Sequence, residues 1–277
     1  MRRLIVNADD FGMAEPVNLG IIKGHRDGII TSTSLLACGK WAEHAAGLAK
    51  ENPGLGVGVH LCLTIEKPLL DPSKLPSLAP GGMLPSSPFQ FMRRFAFGLI
   101  DKTEVEAELR AQVARTLELG VRPTHVDGHQ HMHMMPGVLP IVIRIAIESG
   151  IKAIRFPVGP WVGRTGLSGA MEKVVLEGIS TVQERCTGLS GLKRANNFFG
   201  LAQTGRLDSG SLRDIITQLP DGVSEVMCHP GLRDDALAER LGWGMGWETE
   251  LKAVTDESVI RAVRDNQVEL VNYSRLD

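Results

Sequence analysis

One short stretch of the chain holds the residue types best suited to chemistry. Residues 124–133 read Thr-His-Val-Asp-Gly-His-Gln-His-Met-His, with four of the chain's eight histidines and one aspartate, Asp127. Imidazole and carboxylate groups are ligands of first-row metal ions, and this density is typical of a metal site. In an extended chain, the period of two would place His125, Asp127, His129, His131 and His133 on one face.

Geometry limits how many of these side chains can bind one ion. A strand rises about 3.3 Å per residue, so the outer members of the run would lie roughly 26 Å apart. At most one or two of them can therefore be ligands of the same ion. We expect the strand to end within the run, and the remaining ligands to come from other parts of the chain.

The elements that position this run alternate between short β-rich segments and amphipathic segments. The predicted strands are Leu4–Asn7, Thr31–Leu36, Gly56–His60, Thr124–Asp127, Ala153–Phe156, Asn197–Gly200, Ser224–Cys228 and Val268–Val271. The predicted helices are Pro16–Arg26, Trp41–Glu51, Thr103–Leu119, Gly137–Ser149, Ser211–Leu219, Trp247–Val254 and Ser258–Asn266. A capping box of Thr103 and Glu106 is expected to begin the third helix. Such alternation predicts a parallel sheet, either open and doubly wound or closed, and the strand number favours a TIM-barrel-like (β/α) barrel.

Three further polar positions coincide with the ends of predicted strands. Asp9 and Asp10 follow the first strand, His60 ends the third, and His229 ends a late one. Loops at the carboxyl ends of parallel strands converge on one opening, so these groups are expected to meet the histidine run there. Each residue also has a structural reading, because a strand-end aspartate is often a helix N-cap and a lone histidine is often a packed core residue.

The histidines of the run itself do not all have the same predicted role. His125 lies early in its strand and is expected to be structural. His131 and His133 either line the pocket or hydrogen-bond to the loop backbone, and the sequence leaves these two roles open.

Composition narrows the classes of protein to which the chain can belong. With 277 residues and 43% apolar content it can bury a full-sized core, and we expect a single domain over 1–277. A net charge of −2 and a pI near 6.5 argue against a nucleic-acid binder. No apolar segment approaches membrane-spanning length. The four cysteines have no paired spacing, so a reducing cytoplasm is the expected location; they are Cys38, Cys62, Cys186 and Cys228.

Two insertions interrupt the alternation. Glu66–Ile100 contains six prolines and a phenylalanine-rich tail, and little regular structure is expected in it. So long an insertion often forms a lid or binding loop, although an apolar oligomer contact explains it equally well. Gly159–Arg194 is rich in glycine and polar residues, and no role is predicted for it.

Four motifs together resemble the YdjC-like carbohydrate deacetylases, a family that includes chito-oligosaccharide deacetylases and a deacetylase of glycosylated hopanoids. They are Asn-Ala-Asp-Asp-Phe-Gly at 7–12, Gly-Val-His-Leu at 58–61, the histidine run, and Glu-Val-Met-Cys-His-Pro at 225–230. The likeness extends over nearly the whole chain. It implies a TIM-barrel-like fold, a homodimer, one divalent metal ion, and removal of an acetyl group from an N-acetylated sugar. It implies Asp10, His60 and His129 as the metal ligands.

The remaining roles follow from residue chemistry within this framework. Asp9 is assigned as the general base and His229 as the general acid, or as a donor to the developing oxyanion. Arg155 is expected to pair with Asp9 and keep it ionised, a surface salt bridge being the alternative. His131, His133 and Asp127 are the predicted substrate contacts.

The metal and the reaction each keep an alternative. The resemblance suggests Mg²⁺, whereas two imidazole ligands favour Zn²⁺, Mn²⁺ or Co²⁺. The rival enzymes are a phosphoester hydrolase, which often uses two metal ions, and a sugar isomerase, which releases no acetate. The other alternative is a sugar- or metal-binding protein without catalysis.

Overall fold

A parallel β-sheet forms the centre of the molecule. The computed structural model describes residues 1–160, 162, 174, 177–181, 191–242 and 244–276. The strands described are β1 (Arg2–Phe11), β2 (Ser32–Leu35), β3 (Gly56–Leu61), β4 (Val126–Gly128), β5 (Asn197–Phe199), β6 (Gly222–Cys228) and β7 (Glu269–Leu270). Their order is β4-β3-β2-β1-β6-β5, with β7 paired to β1, and every described pairing is parallel.

Helices connect most successive strands. Those described are α1 (Glu15–Asp27), α2 (Ala42–Glu51), α3 (Pro88–Ala96), α4 (Lys102–Glu118), α5 (Leu139–Glu148), α6 (Ser209–Thr217), α7 (Asp235–Leu241), α8 (Trp247–Thr255) and α9 (Glu257–Asp265). Within the described ranges, no helix is both long and apolar enough to cross a membrane. Residues 4–11 of β1 are all buried, as expected for a parallel strand covered on both faces.

The parallel α/β architecture is confirmed, and the described strand pairings run from β4 at one end of the sheet to β5 at the other. The predicted strand Ala153–Phe156 contributes only single bridges, from Val126 to Ile154 and from Ala153 to Lys193. Asp9 and Asp10, predicted to follow the first strand, lie within β1, which continues to Phe11.

The start of α4 corrects a second prediction. Asp101, not Thr103, is the N-cap, and its side chain accepts a hydrogen bond from the Thr103 backbone N–H. Glu106 instead accepts hydrogen bonds from Arg110 and Arg144 on the helix surface. The predicted capping box was wrong because Asp101, two residues before Thr103, already accepts from a backbone N–H of the first turn.

The segment Glu66–Ile100 is more ordered than predicted. It contains α3, in which Phe91 and Phe95 are buried and stack with their ring centroids 5.4 Å apart. Two buried or partly buried carboxylates of α4 hold it, because Glu108 accepts from the backbone N–H groups of residues 69 and 70 and Glu104 from those of residues 77 and 78. Phe89 and Phe97 remain 70% and 77% exposed. The second insertion, Gly159–Arg194, lies largely outside the described residues.

Candidate active site

Three predicted ligands meet at the carboxyl ends of β1, β3 and β4. Asp10, His60 and His129 are all buried, and one donor atom from each lies within 4.8 Å of the others. His129 Nδ1 lies 2.8 Å from Asp10 Oδ1, and His60 Nε2 lies 3.4 Å from the same oxygen. One carboxylate oxygen and two ring nitrogens therefore converge on one point, although the residues are far apart in sequence.

The backbone of β1 is distorted where it supplies the two aspartates. Asp10 has a φ of 67°, in the left-handed region that favours glycine, and the pairing of β1 with β2 shifts register between Ala8 and Phe11. An unbroken strand would point neighbouring side chains to opposite faces. Here both Asp9 and Asp10 approach His60. Left-handed backbone costs a residue with a Cβ about 1–2 kcal/mol, and such strain is concentrated at functional sites.

Opposite charges dominate the electrostatics of the three residues. Burial alone would raise the pKa of Asp10, but His129 and His60 together hold it well below its ordinary value. Burial likewise lowers the pKa of His60, but Asp127 and Asp10 outweigh it and hold that pKa well above the ordinary value. Protons on the imidazoles thus balance the carboxylates, so a bound cation would have to displace protons.

Asp127 supports His60 from behind. His60 donates from Nδ1 to Asp127 Oδ1 at 2.8 Å, which fixes the ring tautomer and leaves Nε2 facing Asp10. The other Asp127 oxygen accepts from Ser34 Oγ at 2.7 Å and lies 2.9 Å from an Arg155 nitrogen. Asp127, predicted as a substrate contact, is 0% exposed, and its carboxylate is enclosed by side chains of the protein.

Arg155 is a buried cation shared by three carboxylates. Its two terminal nitrogens donate to the two oxygens of Asp9 at 2.6 and 2.7 Å, a bidentate pair. Its Nε donates to Glu225 at 2.8 Å, and one terminal nitrogen also lies against Asp127. Because Arg155 is 0% exposed, the pair with Asp9 is not a surface salt bridge.

A layer of aromatic and polar side chains lies beneath this group. The His125 ring stacks on Tyr273 with centroids 3.8 Å apart, and Tyr273 donates its hydroxyl hydrogen to Glu225. Burial lowers the pKa of His125 to about 3, so the ring is neutral. A Cβ on Gly58 would lie 2.3 Å from a His125 ring carbon, which explains the glycine in β3. These contacts agree with a structural role for His125.

The last two histidines of the run lie in the 3-10 turn His129–Met134, where Gln130 and His131 have positive φ. His133 Nε2 lies 3.2 Å from the backbone oxygen of Arg155, so this ring contacts backbone rather than an open pocket. His131 packs edge-on against Phe198 and is also buried. Burial lowers the pKa of His133 to about 4 and that of His131 well below its ordinary value, so both rings are neutral.

His229 follows the last residue of β6, which pairs with Ala8, so His229 lies level with Asp9. Its side chain is 12% exposed, and its Nδ1 has no hydrogen-bond partner among the described residues. Glu250 lies behind it and accepts from the His229 backbone N–H at 2.5 Å. Burial raises the pKa of Glu250, while His229 and the backbone donors oppose that rise.

Several residues of this cluster were not predicted from the sequence. Asn7 donates to both Asp9 Oδ1 and Ser34 Oγ at 2.8 Å, so it connects β1 with β2. Glu225 carried a signal, since it is a charged residue inside an otherwise apolar strand, but Tyr273 and Glu250 carried none. Cys38, Cys62 and Cys228 are free thiols, and Cys186 lies outside the described residues.

Comparison with known proteins reveals relatives over the whole chain. The profile of the YdjC-like protein family matches residues 3–265. A carbohydrate deacetylase of Brevibacillus brevis is 37% identical over 275 residues, covering 99% of both chains. A chitooligosaccharide deacetylase of Escherichia fergusonii is 35% identical over 98% of both chains. A crystal structure from Enterococcus faecalis, described as a candidate cellobiose-phosphate cleavage protein, superposes with a TM-score of 0.76 at 24% identity, covering 98% of this chain and 97% of that one, and shares the fold.

Proposed function

Because this chain belongs to the YdjC-like family, we propose that it is a metal-dependent deacetylase that hydrolyses the N-acetyl group of an N-acetylated amino sugar. The observation that carries the proposal is the convergence of Asp10, His60 and His129 at one end of the sheet. The names of the relatives, carbohydrate deacetylase and chitooligosaccharide deacetylase, support the same reaction and the same substrate class.

The donor set fits a single divalent cation. One carboxylate and two imidazoles leave coordination positions open, which is typical of a catalytic rather than a structural site. The hydrogen bond from His60 to Asp127 is the outer support commonly found behind a ligating histidine. When bound, the cation would polarise the acetyl carbonyl and make water a stronger nucleophile. Family resemblance suggests Mg²⁺, and the two imidazoles favour Zn²⁺, Mn²⁺ or Co²⁺.

Asp9 is proposed as the general base. Its described donors, Asn7 and the two Arg155 nitrogens, fill three of about four acceptor positions on the carboxylate. One position therefore remains for a proton taken from water. Arg155 balances the charge of Asp9 and fixes its orientation, so this aspartate can hold a defined position beside the ligand Asp10.

His229 is proposed as the acid that protonates the departing sugar amine, or as a donor to the developing oxyanion. Its position at the level of Asp9, across the β1–β6 pairing, supports this role. His131 remains a proposed substrate contact, although most of the ring is buried. For His133 and Asp127 we propose support of the site, because both are bound by neighbouring protein groups.

The second candidate function, phosphoester hydrolysis with two metal ions, has one supporting observation. Asp9, His60 and Asp127 form another group with donor atoms within 4.8 Å of one another. However, Arg155 contacts both of those carboxylates, so a guanidinium already lies where a second ion would bind. We therefore favour a single-metal amide hydrolase over the phosphoesterase, the isomerase and a binding protein without catalysis.

The proposal also includes three properties of the whole molecule: its barrel closure, its oligomeric state and its location. We propose that the sheet closes into a barrel, which the single bridges at Ile154 and Lys193 support. A homodimer is proposed by family resemblance, and a cytoplasmic location from the cysteine pattern. Light scattering of the purified protein tests the dimer.

The decisive experiment measures acetate release from a panel of N-acetylated sugars, with and without a chelator. We expect release that the chelator abolishes and added metal restores. Asp10→Asn should lose both metal and activity, while the matched control Asp101→Asn, at the exposed cap of α4, should keep both. Release of phosphate, or isomerisation without acetate, would favour a rival reaction, and metal or sugar binding without turnover would favour the binding protein.

A further inference from the structure

A buried carboxylate and a phenol lie directly behind the pair formed by Asp9 and Arg155. Glu225, on β6, accepts from Arg155 Nε at 2.8 Å on one oxygen and from the Tyr273 hydroxyl on the other. Both residues are at most 2% exposed. Tyr273 is itself fixed by its stack on His125. The described side-chain hydrogen bonds of Glu225 and Tyr273 join them to Arg155 and to each other.

The groups that face Glu225 carry an excess of negative charge. Arg155 is the cation against it, Tyr273 is a neutral donor, and Asp127 and Asp9 are carboxylates on the far side of Arg155. Burial, with the help of Asp127 and Asp9, raises the pKa of Glu225 to about 7, although Arg155 and Tyr273 act against that rise. Glu225 can therefore change charge in the range where enzymes work.

We propose that Glu225 and Tyr273 are positioning residues for the deacetylation, which hold Arg155 and set how strongly its charge acts on Asp9. This inference rests on the proposed function. When Glu225 is ionised, three carboxylates share the guanidinium. When Glu225 is protonated, Asp9 and Asp127 share it alone, and Arg155 loses the charged partner of its Nε, so it holds Asp9 less firmly. Activity should then fall on the acidic side of the Glu225 titration.

The test is the pH dependence of kcat in the metal-loaded enzyme, measured from about pH 5.5 to about pH 9. Glu225→Gln fixes the neutral form and keeps an oxygen that can accept from Arg155. The ratio of wild-type kcat to Glu225→Gln kcat should be near unity at low pH and rise to about tenfold above the titration, since a misplaced catalytic group can cost up to about 10²-fold in rate. The rise should lie at or below about pH 7, because a nearby divalent cation also favours the carboxylate.

The pH dependence of kcat in Tyr273→Phe is the second test, because the direction of its shift is predicted. The Tyr273 hydroxyl stabilises the ionised Glu225. Removing it should move the acidic limb of the pH profile, the fall of kcat towards low pH, to higher pH. Glu108→Gln is the matched control, since it neutralises another fully buried carboxylate that holds backbone N–H groups of the insertion. Its acidic limb should keep the wild-type position.

Each result decides the question. The inference is overturned if the ratio of wild-type kcat to Glu225→Gln kcat does not change with pH and the acidic limb of Tyr273→Phe does not move. Glu225 and Tyr273 would then have only a structural role. If thermal melting shows that Glu225→Gln does not fold, the limb position of Tyr273→Phe decides alone. If wild-type protein releases no acetate from any sugar, the proposed function is wrong and the inference falls with it.

Discussion

Replacing Asp127 with asparagine should weaken metal binding although none of the proposed metal ligands is changed. Asp127 Oδ1 accepts from His60, and Oδ2 accepts from Ser34 and faces an Arg155 nitrogen. Whichever way an asparagine amide turns, its NH₂ group meets a donor. The variant therefore leaves His60 without its charged acceptor, or leaves Ser34 and Arg155 opposed by N–H groups.

The size of the effect follows from this geometry. Loss of the partner behind a ligating histidine commonly costs 10- to 100-fold in metal affinity, or about 1.4–2.8 kcal/mol. Mispaired buried donors should also lower the free energy of unfolding by about 1–3 kcal/mol.

The loss of metal affinity in Asp127→Asn should depend on pH. Burial lowers the pKa of His60, and the opposing effect of Asp127 is among those that hold it well above its ordinary value. Metal and proton compete for His60, so wild-type affinity should rise with pH. In Asp127→Asn the proton binds His60 less tightly, so the affinity gap from wild type should be small near pH 6 and widest near pH 8. Competition with a chelating dye at both values measures it, with Asp101→Asn as the control. Equal affinities of variant and wild type at both values would refute the reasoning.

Three further predictions use other parts of the site. Asp9→Asn should keep metal binding by titration calorimetry but lose about 10²- to 10⁴-fold in kcat, and turnover at the parent rate would contradict the base assignment. Gly58→Ala should lower the free energy of unfolding by about 1–3 kcal/mol, because its Cβ would lie 2.3 Å from the His125 ring, and unchanged urea midpoints would refute this. Since the Glu225 pKa is raised in the folded protein, its contribution to stability is present at low pH and lost as the pH rises through about 7. Metal-free Glu225→Gln should therefore gain melting temperature relative to wild type between about pH 5 and about pH 8, and a constant difference would contradict that assignment.

The sequence predicts most of the elements, because alternating patterns and punctuating glycines are local signals. The predicted ends of α2, α4 and β6 lie within two residues of those observed. Strand-end reasoning also brought Asp10 and His60 to the histidine run, since it depends only on the parallel order of strands. The choice of Asp10, His60 and His129 as ligands came from the family resemblance. We did not predict α3, because the six prolines of Glu66–Ile100 indicated irregular structure, although Phe91 and Phe95 have the i, i+4 spacing of one helix face.

The supporting residues were harder to predict, since their roles depend on contacts between distant segments. Tyr273 matters only because β7 brings the segment that follows it against β1. The left-handed backbone at Asp10 could not be predicted either, because aspartate adopts this conformation only occasionally. The sequence also could not show that protein groups enclose Asp127, because its partners His60, Ser34 and Arg155 lie on other elements.

The central place of β1 in the sheet has a consequence for biosynthesis. Along one edge this strand pairs with β2, which follows it closely in the chain, and with the short strand β7, while β6 pairs with residues 2–8 along the other edge. On the ribosome, β1, α1 and β2 can assemble early as a parallel βαβ unit, whereas the other edge of β1 stays unpaired until β6 has emerged. An open edge of this kind invites pairing with other nascent chains. Slowing translation before β6 has emerged should therefore increase aggregation and demand for chaperones, while slowing it after β6 has emerged should not.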